Sequence, residues 1–397
     1  MSAFPPESPS VTLQVPLPSP FRLQAGGELI GAQVAVETYG HLSPARDNAI
    51  LLFTGLSASA HAASHPGDTS SGWWESMIGP GKALDTDRYF VISVNSLGSC
   101  FGSTGPASLN PATGQPYGGD FPELRVEDIA RASQAAVDSF GIDQLAAAIG
   151  CSLGGMTVLA HAVCFPGRAR AIASISGAMA ANAAAIATRS LQREIVGSLL
   201  KAGAEPERVQ QAMRWARKIG VLSYVGTELL EKRFGRDQTE PFSGHGSGTD
   251  FEVESWLEHL AQKFVRQFDP WAYWVISRAM DLFDFAAHGA APEGDAVVHR
   301  HDATDAARAA AFLKLERALV IGVQEDRLFP VDQQRAIGAV LNASGITTDY
   351  VELASPYGHD AFLTEHTLFT PVLRSFLDEL RVALPLAPSR FEAGLRR

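Results

Sequence analysis

The stretch Gly150-Cys151-Ser152-Leu153-Gly154 decides how the rest of the chain is read. It follows the apolar run Leu145–Gly150 and opens an apolar segment, Leu153–Phe165, with helical character. A serine between glycines on a strand-to-helix turn is pushed above the sheet edge, because side chains on its neighbours would clash with the tight backbone. No other G-x-S-x-G occurs in the 397 residues. A glycine turn with an idle serine is the plain alternative, and the strand before and helix after weigh against it. The Leu153 amide, at the start of the helix, is placed to donate to a developing oxyanion.

Working outward, the short apolar runs Ala49–Thr54, Tyr89–Val94, Leu145–Gly150, Ala171–Ser176, Ala318–Val323 and Thr348–Leu353 alternate with helix-like segments such as Val126–Phe140 and Leu153–Phe165. Such alternation predicts an α/β fold with a mostly parallel sheet and helices on both faces. Strand signals stop after Ser176 and resume at Ala318. Between them the spacing predicts successive helices at Ala183–Leu200, Glu205–Ile219, Thr227–Arg233, Phe251–Phe268 and Pro270–Phe285, followed by a return loop, Ala287–Arg300. The expected organisation is a flexible arm over 1–20, a first part of the core over 21–178, an inserted helical lid over 179–300 and a second part of the core over 301–397.

A serine nucleophile needs a base, and the base needs an orienting acid. Asp326 follows the strand Ala318–Val323, and His359, in Ser355-Pro-Tyr-Gly-His-Asp360, follows the strand Thr348–Leu353. Loops at the carboxyl ends of parallel strands gather catalytic groups, and the chain order Ser, Asp, His is that of α/β-hydrolase folds. Glu325 competes with Asp326 for the acid, and Asp332 does so more weakly. The other ten histidines default to surface or packing roles, with His61 the first exception to check. A second oxyanion donor is expected from Gly55 or Leu56, in the loop after Ala49–Thr54; a simple glycine turn is the alternative there.

Composition narrows the function classes. With 32 basic and 43 acidic residues the net charge is −11, and no run of Lys or Arg is present, which argues against a nucleic-acid or anionic-membrane partner. Three cysteines without a C-x-x-C pair fit neither a disulfide framework nor a zinc cluster, so no metal is expected and a reducing, cytoplasmic compartment fits best. The first 20 residues hold six prolines and no basic residue, unlike a signal peptide. The Ala-rich stretch near Ile172–Ala187 is too polar for a membrane span.

At these residues the chain resembles the homoserine and serine O-acyltransferases of the α/β-hydrolase superfamily. The similarity covers nearly the whole length. It includes Gly72-Trp73-Trp74-Glu75, Ile78–Phe90, Gly102-Ser-Thr-Gly-Pro106, Asn110–Gly114, Phe251–Ser255, Lys263-Phe264, Asp281–Asp284 and Ser355–Phe362. The resemblance implies a helical lid, a homodimer formed through it, and no permanently bound cofactor. It further implies ping-pong transfer from acyl-CoA through a Ser152 acyl-enzyme to an amino-acid hydroxyl, with Arg217 binding the acceptor carboxylate and Asp360 its amino group. Read without the resemblance, Arg217 is a solvated helix residue and Asp360 a helix cap. The loop Gly55-Leu56-Ser57-Ala58 and the stretch Ile186–Arg193 resemble the branch acting on L-serine for cysteine synthesis, rather than the L-homoserine branch of methionine synthesis. Arg189 matches the position associated with acyl choice, where a guanidinium suits a succinyl carboxylate but does not exclude acetyl. A plain esterase and a non-catalytic receptor are the competing classes. Cys151 is expected to be a packing residue.

Overall fold

Alternation within short apolar runs sends successive side chains to opposite faces. In the computed structural model, which describes residues 12–239, 250–289 and 303–380, this pattern builds one eight-stranded sheet. Its strands are β1 (Leu13–Pro16), β2 (Gln33–Tyr39), β3 (Ala49–Phe53), β4 (Phe90–Val94), β5 (Leu145–Cys151), β6 (Ala169–Ile175), β7 (Arg317–Val323) and β8 (Thr347–Leu353). They lie in the order β1-β2-β4-β3-β5-β6-β7-β8. The β1–β2 and β2–β4 pairs are antiparallel, and every other pair is parallel. Within β3, Ala49, Leu51 and Phe53 enter one core while Ile50 and Leu52 enter the other.

Helices cover both faces, as expected. On one face α1 (Val126–Ser139) and α2 (Leu153–Cys164) pack against each other and the strands. After β6 the chain leaves the sheet for α3 (Ala183–Lys201), α4 (Pro206–Tyr224), α5 (Thr227–Phe234), α6 (Glu252–Val265) and α7 (Pro270–Leu282). It returns through α8 (Ala303–Ala310) to β7, and α9 (Val331–Ala343) follows on the face of α1. The short α10 (Ala361–Thr364) and α11 (His366–Asp378) cover the opposite face, where Phe369, Leu373 and Phe376 are buried.

Three expectations change. Residues 12–20 of the expected flexible arm are tied down: Leu13–Pro16 pairs with β2, and the Leu17 amide donates to the Ala32 carbonyl at 2.8 Å. Proline hides this strand in the sequence, yet an edge position spares Pro16 the need for an N–H. The strand β2 also lies outside the predicted set. The expected helix to Phe285 ends at Leu282, where Phe283 turns extended and Asp284 accepts from the Ala286 amide at 3.0 Å to start a 3-10 turn, Phe285–His288. Most of the expected return loop Ala287–Arg300, from residue 290 on, lies outside the described residues, as do 1–11, 240–249 and 381–397. Among the described residues no helix is long and apolar enough to cross a membrane.

Candidate active site

The nucleophile's position follows from backbone strain. Ser152 sits between β5 and α2 at φ 59° and ψ −120°, a conformation that costs a side-chain-bearing residue about 1–3 kcal/mol. Two ladders hold it there: its amide donates to the Ile175 carbonyl at 2.9 Å, and its carbonyl accepts from Met156 at 3.1 Å. Gly154 is required by close approach, since a Cβ there would lie 2.5 Å from the Phe53 carbonyl oxygen. The end of β3 is thereby pressed against the first turn of α2. The Leu153 amide belongs to that turn, whose N–H groups have no acceptor within the helix.

His359 and Asp326 arrive from the loops after β8 and β7, as expected. His359 Nε2 is 2.8 Å from Ser152 Oγ, and its Nδ1 is 2.7 Å from Asp326 Oδ2. The other oxygen of Asp326 accepts from the amides of Leu328 and Phe329 at 2.9 and 2.8 Å, which fixes the carboxylate. Glu325 plays a different part, since its carboxylate accepts from the Ser355 amide at 2.7 Å and shapes the histidine loop. Asp332 is exposed and pairs with Arg335. Burial disfavours the His359 cation, but Asp326, and to a lesser extent Asp360, outweigh burial and the nearby Arg189, so its pKa lies above the usual imidazole value. Serine, imidazole and carboxylate thus form one continuous relay.

The helices inserted between β6 and β7 are joined to this relay at Gly358. With φ at 56°, its Cα faces the Tyr224 carbonyl of α4 and the Glu325 carbonyl, which a Cβ would meet at 2.4 and 2.9 Å. Two arginines on the inserted helices, Arg217 on α4 and Arg189 on α3, are each separated from the His359 ring by one aromatic side chain. Arg217 lies 5.3 Å from the Tyr224 ring centre, which is 5.8 Å from that of His359; Arg189 lies 5.9 Å from Phe329, which is 5.4 Å from His359. Asp360 is partly buried beside them, and burial raises its pKa against the pull of Arg217 and His359.

Arg189 brings two residues that sequence reading did not single out. Its Nε donates to Asp281 Oδ1 at 2.6 Å, and Arg193 Nη2 lies 2.6 Å from the second oxygen of the same carboxylate. One acid therefore serves two guanidinium groups, and a net positive charge is left in a buried place. Arg189 Nη1 and Nη2, Arg193 Nη1 and Arg217 Nε have no hydrogen-bond partner among the described residues. Each unmet buried N–H costs about 1–3 kcal/mol, so the site is arranged to receive anionic oxygens. Arg189 and Asp281 are 92 residues apart, and no local spacing reveals such a pair.

The loop from Gly55 leaves β3 beside the nucleophile, because Phe53 pairs with Gly150 and a Cβ on Gly55 would lie 3.9 Å from the Cys151 carbonyl oxygen. Leu56, Ser57 and Ala58 follow, with the Ala58 carbonyl accepting from Asn95 at 3.3 Å. Cys151 is buried, and burial raises its thiol pKa well above the ordinary value, as suits packing. Cys100, Cys151 and Cys164 are free thiols.

Comparison with known proteins agrees with this geometry. A family model described as the alpha/beta hydrolase fold matches residues 48–366. The serine O-succinyltransferase of Stenotrophomonas maltophilia is 49% identical over 378 residues, covering 92% of this chain and 96% of that relative. Among solved structures, the homoserine O-acetyltransferase from Bacillus anthracis superposes with a TM-score of 0.82 at 24% identity, over 95% of this chain and 100% of its own. An esterase superposes with a TM-score of 0.79 at 26% identity, over 93% of this chain and 99% of its own. These structural likenesses speak to the fold.

Proposed function

The chain belongs to the α/β-hydrolase fold family, and on that premise we propose that this acyltransferase is an L-serine O-acyltransferase drawing a succinyl group from acyl-CoA. The observation that carries the reading is the set of unpaired, buried guanidinium N–H groups around a complete Ser152–His359–Asp326 relay. A plain esterase has no use for several buried cations beside its base. The name of the 49% identical relative supports serine and succinyl together.

In the first half-reaction His359 Nε2 takes the Ser152 proton as Oγ attacks the thioester carbonyl. The oxyanion is held by the Leu153 and Leu56 amides, with Gly55 letting the loop approach, and on collapse the C–S bond breaks and the CoA sulfur takes the proton from His359. In the second, His359 takes the proton of the acceptor hydroxyl as its oxygen attacks the acyl-serine carbonyl; on collapse the bond from the acyl carbon to Ser152 Oγ breaks and Oγ takes the proton back from His359. Arg217 holds the acceptor carboxylate and Asp360 its ammonium group, so the hydroxyl competes with water by position. Ser57 and Ala58 help to shape the acceptor end toward L-serine, and Arg189, oriented by Asp281 and assisted by Arg193, binds the distal succinyl carboxylate. Acetyl transfer, and some use of L-homoserine, remain within reach, since one methylene is worth about 1–3 kcal/mol. The product carries an activated β-oxygen, suited to replacement by sulfide in cysteine synthesis. No bound cofactor is required.

The lid also supports pairing of two copies. Ile186 and Leu191 on α3 and Trp215 and Leu222 on α4 are 38–51% exposed, an apolar face of the kind that dimers cover. Sedimentation of Trp215→Glu/Leu222→Glu is expected to give monomers where the unaltered chain gives dimers.

The deciding experiment measures free thiol with succinyl- or acetyl-CoA and with L-serine, L-homoserine or no acceptor. L-Serine with succinyl-CoA is expected to be fastest. No rate increase with either amino acid removes the transferase reading, and rapid acceptor-free release favours an esterase.

A further inference from the structure

A second carboxylate–histidine cluster lies at the far end of the loop that begins at Gly55. Glu37, on β2, is buried at 4% exposure. Its Oε1 accepts from Thr12 at 2.8 Å, and its Oε2 is approached by the Tyr39 hydroxyl at 2.9 Å, His61 Nδ1 at 2.9 Å and His65 Nε2 at 3.2 Å. The remaining ring nitrogens settle where the protons are. His65 Nδ1 accepts from the Gly67 and Asp68 amides at 3.1 and 3.2 Å, so the proton Glu37 receives from this ring is on Nε2. His61 Nε2 faces the Ser70 carbonyl at 2.9 Å, and its Nδ1 faces the Glu37 carboxylate. The carbonyl and the carboxylate can only accept, and the Ser70 hydroxyl, 3.3 Å from the same Nε2, spends its hydrogen on Asp68 Oδ1 at 2.7 Å, so only the imidazolium satisfies these contacts. Burial opposes that cation, but Ser70, Glu37 and Asp68 outweigh it and raise the His61 pKa.

The donor set fits a proton better than a metal ion. The ligand atoms of Glu37, His61 and His65 do fall within 4.8 Å of one another. However, His65 would have to present a lone pair on Nε2 while its Nδ1 still faced two N–H donors, which a neutral imidazole cannot do.

The cluster grips the loop directly. The Tyr39 hydroxyl that donates to Glu37 also accepts from the Ala62 and Ala63 amides at 2.8 and 3.2 Å. His61 and the two residues after it are therefore tied to β2, while Gly55, two residues past β3, lies beside Cys151. We propose that the Glu37–His61 ion pair is a positioning latch for the loop Gly55–Ala60, holding the Leu56 amide in register only while His61 is a cation. This rests on the oxyanion role given above to Leu56. The groups facing His61 are Glu37 and Tyr39 from β2, and His65, Asp68 and Ser70 from the following loop, with Asp68 Oδ2 at 3.9 Å. Loss of the His61 proton turns a lone pair toward one of two oxygens. With the Ser70 hydroxyl committed to Asp68, one contact becomes repulsive and the side-chain hold of His61 on the loop is lost, while the Tyr39 contacts to Ala62 and Ala63 remain.

The test compares the unaltered chain with His61→Asn, His61→Ala and Glu37→Gln across pH 6–9.5. Each is assayed by thiol release and by p-nitrophenyl acetate hydrolysis, with folding verified by thermal melting. The ester assay needs the relay and oxyanion donors but no amino acid, so it reads the latch even if the serine reading fails. An alkaline fall in kcat is expected for the unaltered chain. His61→Ala should lower kcat by about 10–100-fold with each KM within about 2-fold, the scale of a displaced oxyanion donor. His61→Asn, whose amide can still donate to Glu37, should lose only about 3-fold and lack the alkaline fall. Glu37→Gln should behave like His61→Ala. An alkaline fall that persists in His61→Asn with an unshifted midpoint, or an unchanged kcat in His61→Ala, overturns the latch.

Discussion

Two of the histidines that bind a carboxylate, His359 and His61, differ in what faces the other nitrogen. His359 is 2.7 Å from Asp326 and 2.8 Å from the Ser152 hydroxyl; His61 is 2.9 Å from Glu37 and 2.9 Å from the Ser70 carbonyl. The Ser152 hydroxyl can give up its proton to the ring, whereas the Ser70 carbonyl can only receive one and the Ser70 hydroxyl beside it donates to Asp68. The first imidazole is thereby built to change its protonation during a reaction, and the second to keep it. A third, His161, has no acid at all: it is 2.7 Å from the Gln134 amide oxygen, and burial pushes its pKa down to about 3. Chemistry follows from the second partner rather than from the presence of a carboxylate.

The sharpest way to break this comparison is to remove one acid from each pair. Asp326→Asn should lower kcat about 10³–10⁴-fold, because it leaves the imidazole in the wrong tautomer, while Glu37→Gln should cost about 10–100-fold. Equal losses in steady-state rates would mean that the two pairs do the same work. A pH titration gives the next largest effect. Since His359 acts as a base only when neutral and its pKa is raised, kcat/KM for acyl-CoA should rise with pH through a midpoint above 6.5 and be lost below it. Asp326→Asn should move that midpoint down, and a midpoint that stays in place removes Asp326 as the cause. The flanking cation is tested by Arg189→Met, which should reduce the ratio of succinyl to acetyl transfer about 10-fold and leave the pH midpoints nearly unchanged; an unaltered ratio excludes Arg189 from acyl choice.

The smallest effect concerns His161 and leaves catalysis alone. A histidine whose folded pKa is depressed loses stability as pH falls below its unfolded value near 6.5, since the unfolded chain binds the proton first. From pH 7 to pH 5 this amounts to about 2 kcal/mol. Chemical denaturation of His161→Leu should show a flatter acid slope than the unaltered chain, and an equal slope excludes this residue as its source.

Much of the fold was legible because its signals are local. The elbow Gly150–Gly154 and the strands at Ala49, Leu145 and Ala318 carry their periodicity and turn residues within a dozen positions. Placing Asp326 and His359 needed only the rule that strand ends gather the chemistry. By contrast, β1 was obscured by Pro16, Pro18 and Pro20, and Glu37 looks like an ordinary solvent-side residue in Gln33–Tyr39 until Thr12, Tyr39 and His61 are seen to enclose it. The choice between Glu325 and Asp326 also required coordinates, since neighbouring residues point to different partners. Arg217 and Asp360 entered through resemblance alone. Arg193 and Asp281 are joined by a contact between α3 and α7 that no sequence period encodes.

Gly358 has a mechanical meaning beyond its tight fit. The carbonyls of Tyr224 and Glu325 converge on its Cα, and the Gly226 amide donates to the Pro356 carbonyl at 3.3 Å, so the end of α4 and the histidine loop are fastened together. Any displacement of the end of α4 would therefore be passed to the histidine loop, so this corner makes the placing of the catalytic base depend on the packing of the inserted helices.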